Sequence, residues 1–188
     1  AVVKERGFWA CHLGPELGGA GFGQLKLALM NEILGKASFA PIVFGCQAPD
    51  SGNGEILAHY GTPEHKEKFL RPLLDGEIVS CFSMTEPHAG ADPTMFKCAA
   101  VQDGDEWVIN GHKAWITNPM YTPVIVVLCR TDQESGSRGF SMILVEPDTE
   151  GVTLHPPEKK MGVKGSPTQM ITFDNVRVPV SNLLGEEG

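Results

Sequence analysis

The sequence predicts an α+β chain: a partial N-terminal α-helical domain over residues 1–76, then an antiparallel β-barrel or sandwich domain over residues 77–188. Three observations carry this. The apolar spacing shifts from helical to alternating near Gly76, where Val, Ile and Thr also become more frequent. A complete helix signature, from Thr62–Pro63–Glu64 to Asp75–Gly76, lies directly before that shift. Beyond it come short apolar runs and two Asx-Gly pairs, with no helical stretch between them.

In the first half, Pro15–Gly21 (PELGGAG) reads as a connection between helices that needs positive φ. No strand precedes it. It lacks both the G-x-G-x-x-G spacing and the Lys-Ser/Thr that a phosphate loop requires. The segment Gln24–Phe39 places Leu25, Ala28, Leu29, Ile33 and Leu34 near helical spacing and predicts a helix. Thr62 supplies an N-cap hydroxyl, Pro63 fits the first turn and Glu64 meets the positive end of the dipole. That helix runs through Phe69, Leu73 and Leu74 and stops where Gly76 can adopt the left-handed conformation.

In the second half, Ile78–Thr85, Val124–Thr131, Phe140–Glu146 and Gln169–Val178 are strand candidates. Asp103–Gly104 and Asn110–Gly111 are expected to form hairpins, since a type I′ turn needs positive φ at both central residues.

Composition excludes several function classes. The 188 residues carry 15 basic and 23 acidic side chains, a formal charge of -8. Such a balance argues against a nucleic-acid partner or an anionic membrane surface, both of which need clustered Lys and Arg. No apolar run approaches the roughly 18 residues that span a bilayer, so no membrane span is expected. The cysteines, Cys11, Cys46, Cys81, Cys98 and Cys129, are scattered and form no C-x-x-C pair. They read as small buried residues in a reducing compartment rather than a metal site. The six histidines show no ligand spacing, and no Ser or Cys has a placed His–acid partner. The chain opens at Ala1 inside a helical pattern and closes at Gly185–Gly188 (GEEG); both ends are expected to be cuts.

Two segments could carry chemistry. In Phe82–Asp92 (FSMTEPHAGAD), a strand meets Pro87, which cannot donate to a ladder. Ala89, Gly90 and Ala91 then leave the backbone open to a ligand. An ordinary strand exit reads the same way. In Trp115–Ile116–Thr117–Asn118, strand geometry puts Trp115 and Thr117 on one face and Ile116 on the other. A flat aromatic beside a hydroxyl suits a flat heteroaromatic cofactor with a hydrogen-bonding ring nitrogen. A core Trp with a surface Thr is the plain alternative. Glu16, Glu86 and Asp92 read as structural carboxylates.

Together, Met84–Asp92 (MTEPHAGAD) and Ile109–Asn118 (INGHKAWITN) resemble the acyl-CoA dehydrogenase family in order and spacing. Pro15–Gly21 is similar to that family's early Gly-Gly loop, and Phe173–Pro179 (FDNVRVP) to the strand closing its β-domain. The resemblance covers essentially the whole chain. It implies an N-terminal helical domain in part, the whole middle β-domain, and no C-terminal helical domain. It implies FAD as cofactor. Phe82, Met84 and Thr85 would lie along the flavin pyrimidine edge, Trp115 would cover a ring face, Ile116 would accompany it, and Thr117 would bond near N5. Gly90 and Ala91 would approach the cofactor, and Ala91 and Asp92 the acyl-CoA substrate. The implied reaction is α,β-desaturation of an acyl-CoA thioester, with electrons passing to an electron-transfer flavoprotein and a homodimer or homotetramer as the full-length assembly.

The resemblance also implies that the catalytic base lies in the C-terminal domain, so no residue here is assigned as catalytic and this chain alone is expected to be inactive. Two departures stand out: Ala91 replaces the family's usual Ser or Thr, and Pro119–Met120 replaces a Gly-rich turn. An acyl-CoA oxidase or flavin monooxygenase on the same scaffold, and a non-catalytic binding or assembly module, remain alternatives.

Overall fold

The computed structural model describes residues 1–17 and 19–188. The chain divides into two compact units, Ala1–Ile78 and Val79–Gly188.

The first unit is helical. It holds α1 (Val2–Glu5), α2 (Gly23–Leu34), α3 (Ala40–Val43) and α4 (Asp50–Tyr60). Then α5 (Pro63–His65) continues through a π turn, Lys66–Leu70, into α6 (Arg71–Asp75). The wide turn lies just before Pro72, whose ring needs room from the carbonyl four residues back. Thr62 caps this helix in a reciprocal pair: its hydroxyl accepts from the His65 amide at 3.2 Å, and His65 Nδ1 accepts from the Thr62 amide at 3.3 Å. Gly76 ends it with φ 69. Leu57, Phe69, Leu70 and Leu73 are buried in this unit, with Cys11 and Leu13.

The α2 helix is shorter than its sequence predicts. It stops at Leu34, where Gly35 follows. Leu27 and Leu34 are its buried residues, while Leu25, Leu29 and Ile33 are exposed, so the apolar spacing marks the helix but not its covered face. In the loop before α2, Gly21 has φ 68, as a helix connection requires. Gly19 has no room for a side chain: a Cβ there would meet the Leu13 carbonyl oxygen at 2.0 Å. Gly18, part of the same motif, lies outside the described residues.

The second unit is an eight-stranded sheet. Its strands are β1 (Cys81–Ser83), β2 (Ala99–Asp103), β3 (Glu106–Thr117), β4 (Ile125–Arg130), β5 (Phe140–Val145), β6 (Val152–Leu154), β7 (Thr168–Pro179) and β8 (Leu183–Leu184). The order is β6-β7-β3-β2-β4-β5-β8, with β1 paired to β4. Most pairings are antiparallel, but β1–β4 and the Ala99–Arg130 contact of β2–β4 are parallel. A central β4 hidden on both faces explains its near-continuous apolar run, IVVLC. Ile109, Ile125, Val127, Ile143, Ile171, Phe173 and Val176 form the core of this unit.

Two turn expectations change. The first hairpin pairs Asp103 with Glu106, so Gly104 and Asp105 are its central residues. Only Gly104 has positive φ, at 64, which meets the requirement of a II′ turn and not of I′. Asn110–Gly111 forms no hairpin at all. It lies inside the twelve-residue β3, at a register shift against β7. Gly111 is needed there for closeness: a Cβ would sit 2.6 Å from Cys98 Cα. Asn110 Oδ1 accepts from the Asn175 amide at 2.8 Å, supporting a residue with φ 51 on β7. The strand expected over Ile78–Thr85 is confined to Cys81–Ser83, because Met84 onward turns away to meet β3.

Candidate flavin site

The β3 strand carries a second register shift, between Lys113 and Ile116, with Trp115 at φ 62. This bulge restarts the alternation of the strand. Trp115 is 62% exposed and Ile116 3%. Thr117, the last residue of β3, is half-buried. Ile116 belongs to the core cluster, so its side chain is not available to a ligand and only its main chain could make a contact. Neither Thr85 nor Thr117 has a hydrogen-bonded hydroxyl among the described residues. Two unused hydroxyls and a bare indole are what a flat, hydrogen-bonding ligand would need.

The end of β1 reaches this bulge. The Ala114 amide donates to the Thr85 carbonyl at 2.9 Å. Lys113 Nζ donates to the Met84 carbonyl at 2.9 Å. Phe82 sits in β1 opposite Val126 of β4. Phe82, Met84 and Thr85 are each half-buried. Gly90 turns back toward Thr85, whose Cγ2 would lie 3.6 Å from a Cβ at that glycine. A bridge between Glu86 and Ala89 closes this turn, with bonds of 3.0 and 3.2 Å. Thr85 and Gly90 are thus brought together, and Met84–Thr85 is brought to Lys113–Ala114.

Ala91 and Asp92 are exposed. Asp92 is already engaged within its own loop: Oδ1 accepts from the Thr94 amide at 3.0 Å and the Thr94 hydroxyl at 2.6 Å. It thereby caps the short turn Pro93–Met95.

Sequence reasoning treated Glu86 as structural but missed its partner, Lys113. Lys113 is fully buried and Glu86 is 3% exposed, and their charged atoms lie 3.0 Å apart. Burial alone would push the Glu86 carboxyl up. The Lys97 and Cys98 amides and the Lys113 ammonium outweigh that and hold it below the usual carboxylate range. The signal was legible: Trp107, Ile109 and Lys113 share one phase of the β3 alternation, and a lysine in a core phase needs a buried acceptor. Among the described residues no group of three or more His, Cys, Asp or Glu could hold a metal ion.

Comparisons with known proteins place the chain in a family. The profile of the acyl-CoA dehydrogenase middle domain matches residues 81–176, and that of the acyl-CoA dehydrogenase N-terminal domain matches residues 1–77. The chain belongs to the acyl-CoA dehydrogenase family. It is 44% identical to acyl-CoA dehydrogenase family member 11 of Gallus gallus, over all of this chain and 25% of that protein. A solved chain described as an acyl-CoA dehydrogenase from Mycobacterium abscessus is 40% identical, with a TM-score of 0.92, over all of this chain and 47% of that one. A glutaryl-CoA dehydrogenase from Mycobacterium smegmatis, solved in complex with FADH2, is 31% identical with a TM-score of 0.79, covering 98% of this chain and 46% of that one. The chain therefore spans a quarter to about half the length of these relatives.

Proposed function

We propose that this chain forms the flavin-facing wall of an acyl-CoA dehydrogenase, which takes two hydrogens from the α and β carbons of an acyl-CoA thioester. The observation that carries the reading is the β3 bulge. It leaves Trp115 exposed, two residues before the unengaged Thr117 hydroxyl, while Ile116 stays in the core. An aromatic ring 62% exposed on a rigid strand is a stacking surface for a planar cofactor. A glutaryl-CoA dehydrogenase of similar fold was solved with FADH2, which supports FAD as that cofactor.

A bound FAD would supply the hydride acceptor for the β carbon. The residues of this chain hold and orient it. Thr85 offers its hydroxyl, with Phe82 and Met84 lining the same edge. Trp115 covers a ring face and keeps water from it. Thr117 would donate a hydrogen bond to the cofactor, which would favour its reduced, charged form. Gly90 and Ala91 allow close approach by the cofactor, and the exposed Ala91–Asp92 rim faces the thioester substrate. An electron-transfer flavoprotein is the proposed acceptor, and a dimer or tetramer the proposed assembly.

Proton abstraction needs a free carboxylate, and neither Glu86 nor Asp92, the two beside this face, is free. Glu86 is buried against Lys113, and Asp92 caps its own loop. The general base, worth about 10²–10⁴-fold, is proposed to lie outside residues 1–188. A dye-reduction assay with short to long acyl-CoAs and saturating FAD tests this. The complete protein is expected to turn over, and residues 1–188 alone to show at most residual activity. Full activity in residues 1–188 would overturn the assignment of the base, and absence of FAD fluorescence quenching by the complete protein would overturn the flavin reading.

A further inference from the structure

The β1 strand ladders with β4 and not with β3. No ladder therefore sets the register of Met84–Thr85 against the Ala114–Thr117 bulge; one main-chain bond, from the Ala114 amide to the Thr85 carbonyl, joins them, and the buried ion pair stands beside it. Lys113 Nζ donates to the Met84 carbonyl at 2.9 Å and to Glu86 Oε1 at 3.0 Å. Glu86 accepts in addition from the Lys97 amide at 2.8 Å and the Cys98 amide at 2.9 Å. The ammonium lies 5.1 Å from the centroid of the Phe96 ring. One pair thus gathers three segments: the exit of β1, the approach to β2 and the bulge of β3.

Stability does not explain the choice of residues. An apolar pair of similar volume is often as stable as a buried ion pair or more so, because desolvation offsets the attraction. An apolar pair has no directional bonds, however. It could not fix the Met84 carbonyl or the Lys97 and Cys98 amides in place.

We infer that Lys113 and Glu86 are positioning residues that lock Met84–Thr85 in register with the Ala114–Thr117 bulge, so that Thr85, Trp115 and Thr117 address one ligand together. This rests on the flavin reading above for the ligand, but the locking itself is independent of it.

The test uses the complete protein and the double substitution Lys113→Met with Glu86→Gln, which removes both charges at similar volume. Amide exchange is followed by NMR or mass spectrometry in the ligand-free state. The reporter is the Ala114 amide, which bonds to Thr85 and to neither member of the pair. It is expected to exchange at least tenfold faster, while Ile125–Arg130 stays protected and the thermal midpoint changes little. FAD affinity, read by fluorescence quenching, is expected to fall at least tenfold in the same folded protein. Unchanged protection at Ala114 overturns the inference, as does a thermal loss accompanied by unchanged Ala114 exchange and FAD affinity in the folded fraction. If the parent does not quench FAD, the flavin reading fails and the Ala114 reporter alone decides the locking. Should the double variant not fold, Glu86→Gln alone keeps an acceptor oxygen and the volume, and is read by the same two measurements.

Discussion

Trp115 and Ile116 are consecutive in β3, yet the first is 62% exposed and the second 3%. The split separates two roles that a strand usually mixes. Ile116→Ala should destabilise the chain by about 2–5 kcal/mol, as removal of a buried Ile does. Trp115→Ala should change stability by no more than roughly 0.5 kcal/mol, because the ring is largely in solvent. It should nevertheless abolish most of the FAD fluorescence quenching of the complete protein. Urea unfolding and flavin titration of the two variants check both halves.

Thr117 lies two residues beyond Trp115 on β3. In the complete protein, Thr117→Ala should slow flavin reduction more than it weakens FAD binding. The loss is that of one hydrogen bond, about 0.5–1.5 kcal/mol, or more where the acceptor is charged. Stopped-flow reduction against equilibrium binding measures the difference; equal effects on both would remove Thr117 from its assigned role.

Glu86 makes stability depend on acid. Its carboxyl is held below the usual range in the folded chain, so the unfolded chain binds the proton more readily. The stabilisation is therefore complete above the unfolded-state value of about 4.3 and is lost as pH falls through the lower folded-state value. Glu86→Gln should lower the thermal midpoint at pH 7 and flatten its decline below about pH 4.5. Thermal scans across pH 3–7 read the two curves.

Gly111 has no space for a side chain, with Cys98 Cα 2.6 Å and Cys98 Sγ 2.8 Å from a built Cβ, and it has φ 151. Gly111→Ala should push β3 away from the segment before β2 and destabilise by about 1–3 kcal/mol or more. The denaturation midpoint of the purified chain is the measurement.

The thiols are all free, and four of the five are buried. Burial pushes Cys81 up to about 12. The Cys98 thiol is lowered by its hydrogen bond with Cys129, yet it is only 1% exposed, so access decides its reactivity. Iodoacetamide at pH 8 should modify Cys46 alone in the native chain, and slowly, since burial raises that thiol too. Mass spectrometry before and after denaturation counts the labels.

The elements most legible in the sequence were those written in local chemistry. Thr62, Pro63 and Gly76 marked the ends of a helix because capping depends on a few adjacent residues. The apolar run in Phe140–Glu146 and the alternation in Gln169–Val178 did the same for β5 and β7. Asn110–Gly111 misled for the opposite reason. A dipeptide suited to a turn was used to let β3 approach Cys98, a need set by a residue on another strand. Alternation separated Trp115 from Ile116 but did not say which of them faces out; the exposure of Trp115 goes with the bulge, which arises from pairing with β7 and has no local signature. The Lys113–Glu86 pair spans 27 positions, so only the phase of Lys113 in the strand hinted at it.

The pairing of β3 with β7 fixes when this sheet can be completed during synthesis. β3 ends at Thr117 and β7 begins at Thr168, 51 positions later. At about 5–20 residues per second, a ribosome needs roughly 3–10 s to make that interval. Until then one flank of the longest early strand is an open row of donors and acceptors, the kind of edge that recruits a neighbouring chain. A nascent chain stalled after Val145 should therefore cross-associate or hold a chaperone, and release it once Pro179 has cleared the exit tunnel.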